Sequence, residues 1–202
     1  MTTAASRRPA STAQPSRHRA ARSRIKRAID LAGAGAGLVI GGPVLIGAAV
    51  AVRASTGEPP LFRQTRVGLD GREFTILKLR TMRSGERAPQ EITRVGRALR
   101  RWSLDELPQL FNVARGDMSL VGPRPLVVEE IASLPSDAAA RHRTRPGLTG
   151  LWQVSDRPRL DTASMVGSDL RYLADWSLWA DVRLLARTPG AVLAHARAQR
   201  RR

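Results

Sequence analysis

The longest stretch without a charged side chain is LAGAGAGLVIGGPVLIGAAVAV, residues 31–52. As a straight helix it would reach roughly 33 Å at about 1.5 Å per residue, enough to cross the hydrocarbon core of a bilayer. Gly41, Gly42 and Pro43 interrupt the run near its middle, where the proline removes a helix hydrogen bond and bends the axis. Each arm beside the bend is too short to cross alone. The sequence therefore predicts a helix over residues 25–53 that enters a membrane, turns at Pro43 and leaves by the same face.

The charges around this run also argue against a simple span. Basic residues lie on both sides, with Arg24, Lys26 and Arg27 before it and Arg53 after it, whereas a spanning helix should carry its positive flank on the cytoplasmic side. A secretory signal would begin earlier and have a shorter apolar core. The glycines of residues 33–37 lack the G-x-G-x-x-G spacing of a dinucleotide-binding loop. These patterns favour a monotopic membrane protein.

The chain is strongly basic, with 34 Lys and Arg against 17 Asp and Glu and a net charge of +17. Such a balance predicts an anionic partner: nucleic acid, anionic membrane lipid or a phosphorylated substrate. The absence of cysteine excludes disulfides, thiolate metal sites and cysteine nucleophiles. Residues 1–24 are rich in arginine and contain no acid, which predicts a disordered basic arm.

Hydrophobic patterning predicts an α+β fold that is predominantly helical. Residues 61–82 alternate on both sides of Asp70-Gly71, which indicates a small β-hairpin with its turn at Leu69–Gly71. Helices are predicted over 94–102, from Pro108 to Gly116, over 129–143 and over 161–187, and a loop or short strand over 145–154. We expect a catalytic domain over 54–187 and a basic C-terminal tail over 188–202.

Two adjacent acids, Asp105 and Glu106, lie in a strongly basic segment. Ser103 and Glu106 fit a capping box, which would give the acids a purely structural role. The surrounding cations, several of them near glycine or proline, instead suit a polyphosphate. Those we expect to contact substrate are Lys78, Arg80, Arg101, Arg124 and Arg145. Where cations and a divalent metal ion offset the repulsion, a carboxylate can attack phosphorus.

Four motifs carry a resemblance to a known family: Lys26-Arg27-x-x-Asp30, FRQTRVGLDGREFTILKLRTM, ITRVGRALRRWSLDELPQLFNVARGDMSLVGPRP and RPGLTGLWQV. In this order they resemble the bacterial sugar transferases, the monotopic phosphoglycosyl transferases of polyprenol-linked glycan assembly. The resemblance extends from about Lys26 to Leu185. It implies a two-step exchange, in which an acid takes the phosphosugar from a nucleoside diphosphate sugar, usually a UDP-sugar, and passes it to polyprenyl phosphate.

The resemblance also implies roles for particular residues. Asp105 corresponds to the nucleophile and Mg²⁺ ligand, Glu106 to its partner acid, and Pro123-Arg124-Pro125 to a substrate-binding element. Lys26 and Arg27 correspond to the place where the membrane helix enters the bilayer, and Pro43 to the break in that helix. This sequence departs from the family at Gly42, where serine commonly precedes the proline.

The resemblance further implies a location on the cytoplasmic face of the bacterial plasma membrane and the first membrane step of extracellular polysaccharide or glycoconjugate synthesis. A homo-oligomer is left open. A nucleic-acid-binding protein is the competing class, favoured by charge but without a recognisable module. A non-catalytic membrane scaffold is another, disfavoured by the intact Asp105, Glu106 and Arg124. Trp152 could stack on a nucleotide base or lie buried.

Overall fold

The computed structural model describes residues 20, 23–83, 91–132, 134, 136–155 and 162–199. The helices are α1 (Arg24–Thr56), α2 (Arg94–Arg101), α3 (Gln109–Arg115), α4 (Val128–Ala132), α5 (Thr162–Ala174) and α6 (Leu178–Ala198). The strands are β1 (Leu61–Val67), β2 (Glu73–Leu79), β3 (Ser119–Val121) and β4 (Gly147–Thr149), and three 3₁₀ turns cover Leu69–Gly71, Leu104–Glu106 and Ser136–Arg143. The predicted fold class, α+β and mostly helical, is confirmed.

Helix α1 is 33 residues long and contains the whole apolar run. Its first turn is capped by Ser23, whose side chain accepts a hydrogen bond from the Lys26 backbone amide. It ends at Gly57, whose φ of 74° is a left-handed conformation that glycine adopts readily. By length and composition α1 could cross a membrane. The helix continues through Pro43, and its re-entrant path through a membrane stays a prediction.

One side of α1 packs against the rest of the protein, both before and after the proline. Ala34 is fully buried in the main apolar core beside Leu110. Val52, near the other end of the helix, lies in a second cluster with Leu79 and Leu99. Both ends of the helix therefore contact the same body of protein.

Glycines in α1 allow this close packing. A Cβ added at Gly33 would lie 2.5 Å from Cδ1 of Leu120, and one at Gly37 would lie 3.0 Å from Cδ1 of Leu110. Small residues at a helix interface let the backbones approach closely. The glycine- and alanine-rich composition of the run thus serves contact with the protein itself.

The other side of α1 is apolar and exposed. Its most exposed aliphatic side chains are Val39 (79%), Ile40 (78%), Ile46 (69%) and Val50 (65%). A contiguous apolar patch on this scale is rare on a monomeric soluble protein and marks contact with a membrane or another protein. The helix therefore has a protein-facing side and a separate apolar outer side.

Strands β1 and β2 form the predicted antiparallel hairpin, with Leu61 opposite Leu79 and Val67 opposite Glu73. Its turn contains Asp70 with φ 54° and Gly71 with φ 75°, a left-handed pair that Asp-Gly favours. The hairpin places Lys78 near the end of β2.

Strands β3 and β4 pair in parallel, with Ser119 opposite Gly147. A Cβ added at Gly147 would lie 2.0 Å from the Gly122 backbone nitrogen, so glycine alone fits there. The short strand predicted within residues 145–154 is confirmed. Because β3 ends at Val121, it leads directly into the Pro-Arg-Pro element, residues 123–125.

Two helical predictions need correction. The helix predicted over 129–143 is a short α-helix followed by a 3₁₀ segment, and the one predicted over 161–187 is two helices, α5 and α6. Helices α5 and α6 are separate because Ser177 begins α6, where its side chain accepts a hydrogen bond from the Ala180 amide. Helix α6 ends at Ala198, so the expected boundary between 187 and 188 falls inside it. Most of the predicted arm, 1–24, lies outside the described residues.

A buried polar cluster joins the start of α1 to the start of α6. Lys26 Nζ donates to Asp181 Oδ2 at 2.7 Å and to the Val121 carbonyl at 3.0 Å. Tyr172 Oη and Trp176 Nε1 donate to the same carboxylate at 2.8 and 3.2 Å. Lys26 and Asp181 are each 5% exposed, and a buried charge is tolerated when it is paired and hydrogen-bonded. Burial raises the pKa of the Tyr172 phenol, which keeps it a donor.

We expect Lys26→Met to lower the free energy of unfolding by about 3–5 kcal/mol, because it leaves the Asp181 carboxylate buried without its cation. Arg24→Met is the matched control: it removes the same charge from an exposed position in the same helix turn, so its effect should stay within about 0.5 kcal/mol. Denaturant titration of both variants in detergent micelles measures the difference. Equal losses would show that Lys26 acts only as surface charge.

Candidate active site

Asp105 and Glu106 lie on the 3₁₀ turn Leu104–Glu106 between α2 and α3. Ser103 has a left-handed backbone, with φ 55°, and its side chain makes no capping hydrogen bond to the described residues. The capping-box interpretation is therefore wrong. Ser103 instead donates its backbone amide to the Arg100 carbonyl as the chain leaves α2, and the side chain of Glu106 is available for another partner.

That partner is Lys78 on β2. Its Nζ lies 3.0 Å from Glu106 Oε1, and both side chains are partly exposed. The structure thus brings together one of the predicted cations and the second of the two predicted acids. The ion pair also connects the hairpin to the 3₁₀ turn Leu104–Glu106, the acid turn.

Asp105 has an unusual electrostatic environment. Burial raises the pKa of its carboxyl group above the ordinary value, and the negative charge of Glu106 raises it further. The positive charges of Lys78 and Arg100 act in the opposite direction on the same pKa. A carboxyl group whose pKa is shifted by burial and by specific charged neighbours is typical of functional sites.

Asn112, which the sequence did not single out, fixes α3, the helix that follows the acid turn, against the hairpin. It is fully buried on α3, its Oδ1 accepts from the Leu77 amide at 3.0 Å, and its Nδ2 donates to the Thr75 carbonyl at 2.7 Å. The side-chain amide thereby ties α3 to the strand that carries Lys78. In the sequence, the one indication of this role is that Asn112 is a polar residue within the otherwise apolar stretch LFNV.

The Pro-Arg-Pro element carries Arg124. Its guanidinium carbon lies 5.7 Å from the centroid of the Trp152 ring, a cation–π distance. Trp152, for which base stacking or burial was expected, thus supports an arginine. The flanking Pro123 and Pro125 restrict the backbone on both sides of Arg124.

Arg66 on β1 is a further site residue that the sequence did not indicate. It donates to the Pro125 carbonyl at 3.1 Å, and its side chain is 12% exposed. Burial lowers the pKa of Arg66, and the charge of Arg124 lowers this pKa too, whereas Glu130 and Glu106 raise it. Arg66 thus contacts the Pro-Arg-Pro element directly, and the negative charge of Glu106 on the acid turn also acts on its pKa. Its partners are distant in sequence, so no local pattern reveals them.

Three other expected substrate contacts have partners within the protein. Arg80 pairs with Glu58 at 2.9 Å, and the Arg101 guanidinium lies 5.7 Å from the centroid of the adjacent Trp102 ring. Arg145 donates from Nε to the Gly116 carbonyl at 2.8 Å, at the opposite end of α3 from the acid turn. None of these three contacts involves Asp105 or Glu106.

The Lys-Arg-x-x-Asp motif docks α1 onto the body of the protein. Arg27 donates to the carbonyls of Val113 and Ala114 at 2.6 and 2.9 Å, where a cation suits the C-terminal end of α3. Asp30 Oδ1 accepts from the Leu120 amide at 2.9 Å. Lys26 and Arg27, which the resemblance assigns to the membrane boundary, both bind protein groups.

The acid turn is the place that could hold a metal ion. No group of three or more His, Asp or Glu side chains with metal-binding geometry occurs in the described ranges. Mg²⁺ is often held by one or two carboxylates together with substrate phosphates and water. Asp105 and Glu106 fit that mode of binding.

Comparison with known proteins gives a consistent assignment. The model of the family "Bacterial sugar transferase" matches residues 21–195. The chain is 44% identical to the UDP-glucose:undecaprenyl-phosphate glucose-1-phosphate transferase of Caulobacter vibrioides, over 83% of this chain and 69% of that protein. It is 37% identical to the exopolysaccharide production protein ExoY of Rhizobium meliloti, over 83% of this chain and 84% of the relative.

Other relatives are considerably longer. The chain is 38% identical to the galactosyl transferase CpsE of Streptococcus agalactiae serotype III, over 83% of this chain but 42% of the relative. It therefore spans less than half the length of some of the curated relatives it matches and most of the length of others. The matched region includes the acid turn, the Pro-Arg-Pro element and nearly all of the helices. The chain belongs to the bacterial sugar transferase family.

Proposed function

We propose that this protein transfers a sugar phosphate from a UDP-sugar to undecaprenyl phosphate, releases UMP, and so begins the synthesis of an exopolysaccharide. The observation that carries the proposal is the carboxylate of Asp105, half-buried beside Glu106 and near Lys78. The Caulobacter relative is named for this type of reaction, and the exposed apolar side of α1 suits a lipid substrate.

The reaction proceeds by two displacements at one phosphorus atom. A carboxylate oxygen of Asp105 bonds to the phosphorus that bears the sugar, the bond to the bridging oxygen breaks, and UMP leaves with the electron pair. An oxygen of undecaprenyl phosphate then bonds to the same phosphorus, and the Asp105 carboxylate leaves. Covalent catalysis of this kind divides one difficult transfer into two easier ones.

The cations around the acid turn reduce the repulsion between a carboxylate and a diphosphate. Arg124 binds a phosphate group of the substrate, since a guanidinium offers several donors in a planar arrangement. Lys78 adds a point charge beside the acids, and Glu106 orients it through their ion pair. Mg²⁺ would be held by Asp105 together with substrate phosphate oxygens, and when bound it supplies further neutralisation of negative charge.

We place α1 as a re-entrant helix on the cytoplasmic side of the bacterial plasma membrane. The support is that both halves of the helix contact the same body of protein, through Ala34 and Val52. A helix that spanned the bilayer with these contacts would draw charged residues such as Arg100 into hydrocarbon, at considerable cost. The exposed aliphatic side of α1 would face lipid, and the surrounding arginines would meet anionic headgroups.

Asp105→Asn should reduce UMP release by at least about 10³-fold, because an amide is a poor nucleophile. Membranes that contain the variant are incubated with undecaprenyl phosphate and a panel of UDP-sugars, and released UMP is measured. Asp70→Asn, which changes an exposed acid in the hairpin turn, is the control and should retain activity. Normal turnover by Asp105→Asn with the protein still in the membrane fraction would refute the nucleophile assignment.

The activity should depend on pH through Asp105, since its carboxyl group reacts when ionised and activity falls as pH drops through its pKa. Glu106→Gln removes a charge that raises the pKa of Asp105, so the acidic limb of kcat/KM should move to lower pH. Lys78→Met removes a charge that lowers the same pKa and should move the limb to higher pH. The pH profile of kcat/KM is measured for each variant, and it gives the direction of the shift even where the maximal rate is reduced. Two shifts of the same sign would contradict the assignment.

Both ends of α1 should be accessible from the cytoplasm alone. The chain contains no cysteine, so Ala28→Cys and Ala54→Cys each introduce a single label at an exposed position. An impermeant maleimide should leave both unlabelled in intact spheroplasts and should label both after lysis. Labelling of one position alone from outside would establish a spanning helix.

A further inference from the structure

A second buried ion pair, between Arg141 and Asp169, lies apart from the acid turn. Arg141 is on the 3₁₀ segment Ser136–Arg143 and Asp169 is on α5. Their side chains are each 1% exposed, and the Arg141 guanidinium donates to Asp169 Oδ2 from both Nε, at 3.2 Å, and Nη2. The pair therefore has almost no contact with solvent.

This ion pair holds the backbone of one residue, Arg124. Arg141 Nη2 donates to the Arg124 carbonyl at 2.6 Å, and the Arg124 backbone amide acts to lower the pKa of the Asp169 carboxyl group. Pro123 and Pro125 have no backbone N–H, so the Arg124 amide is the one backbone donor that this three-residue element can offer. The direct hydrogen bond from the ion pair is the one to the Arg124 carbonyl.

General stability is a poor explanation for such an arrangement. Replacing a buried ion pair by apolar residues of similar volume is often neutral or stabilising, because desolvation of the charges is costly. The cost is visible here: burial raises the pKa of Asp169 to about 6, even though the charge of Arg141 acts to lower it. In addition, Arg141 Nη1 is buried with no hydrogen-bond partner among the described residues.

The location of the clamped residue suggests a functional explanation. With its backbone carbonyl held by Arg141 and its guanidinium against Trp152, Arg124 has a defined position beside Arg66, which donates to the adjacent Pro125 carbonyl. We infer that Arg141 and Asp169 are positioning residues, which fix Arg124 where it can bind a phosphate of the substrate. This inference rests on the proposed function of Arg124.

A double-mutant cycle tests the inference. Asp169→Asn should raise the KM for the UDP-sugar about 10-fold to 100-fold, a loss typical of a binding group displaced by about 1 Å. In an Arg124→Gln background, Asp169→Asn should cause no further rise, because the clamp acts through the missing side chain. A purely structural role would instead lower the amount of active enzyme, and hence the apparent kcat, while leaving KM unchanged.

Asp181→Asn is the matched control, because Asp181 is also a buried, hydrogen-bonded acid but its described partners are Lys26, Tyr172 and Trp176. It should lower the melting temperature and leave KM unchanged. If Asp181→Asn raises KM as much as Asp169→Asn, the effect is general loosening and the inference is overturned. Should Asp169→Asn fail to fold, Arg141→Lys, which retains the charge but not the forked donors, is used in the same cycle with the same expected result.

The outcomes also separate this inference from the proposed function. If Arg124→Gln has a normal KM and kcat, the role of Arg124 in substrate binding fails, and the clamp has nothing to position. If Arg124→Gln is impaired but the effect of Asp169→Asn multiplies with it, the proposed function stands and the inference about Asp169 is overturned.

Discussion

Lys26 carries an ammonium group into a region from which water is excluded, and the Asp181 carboxylate meets it there at 2.7 Å. A buried cation needs such a partner, and this one comes from the last helix of the chain. The Val121 carbonyl is the third member of the contact, and one residue, Gly122, separates it from the Pro-Arg-Pro element. One buried charge thus connects the apolar helix, the last helix and the strand that leads to Arg124.

The parts of the fold that local chemistry decides could be predicted from the sequence. Asp70-Gly71 gave the hairpin turn, and Gly116 ends α3 with a φ of 98°, because these residues adopt left-handed backbone easily. Ser103 shows where local chemistry fails. The chain passes from one helix to the next through a left-handed serine at this point, where a capping box predicted an ordinary N-terminus.

In the candidate site, the two acids could be predicted from the sequence, but the partners of the surrounding cations could not. The acids were indicated by their cationic surroundings and by the family motifs, but charge alone does not tell which cation already has a partner. Arg145 and Arg80 are engaged by the Gly116 carbonyl and by Glu58, groups that no pattern in the sequence connects to them. The sequence did not indicate Arg66 and Asp169, because the residues that they contact are far away in the chain.

Helix α3 has seven residues, a length of about 10 Å. Arg27 of α1 donates hydrogen bonds to the carbonyls at its C-terminal end, and the turn with Asp105 lies just before its N-terminal end. Helix α3 lies along α1, because a Cβ added at Gly37 would be 3.0 Å from Leu110 and one added at Gly41 would be 3.7 Å from Leu107. The turn with Asp105 therefore lies beside the middle of α1. With α1 in lipid as proposed, a carrier that lies next to this helix would bring its phosphate to Asp105 without leaving the membrane surface, whatever the length of its tail.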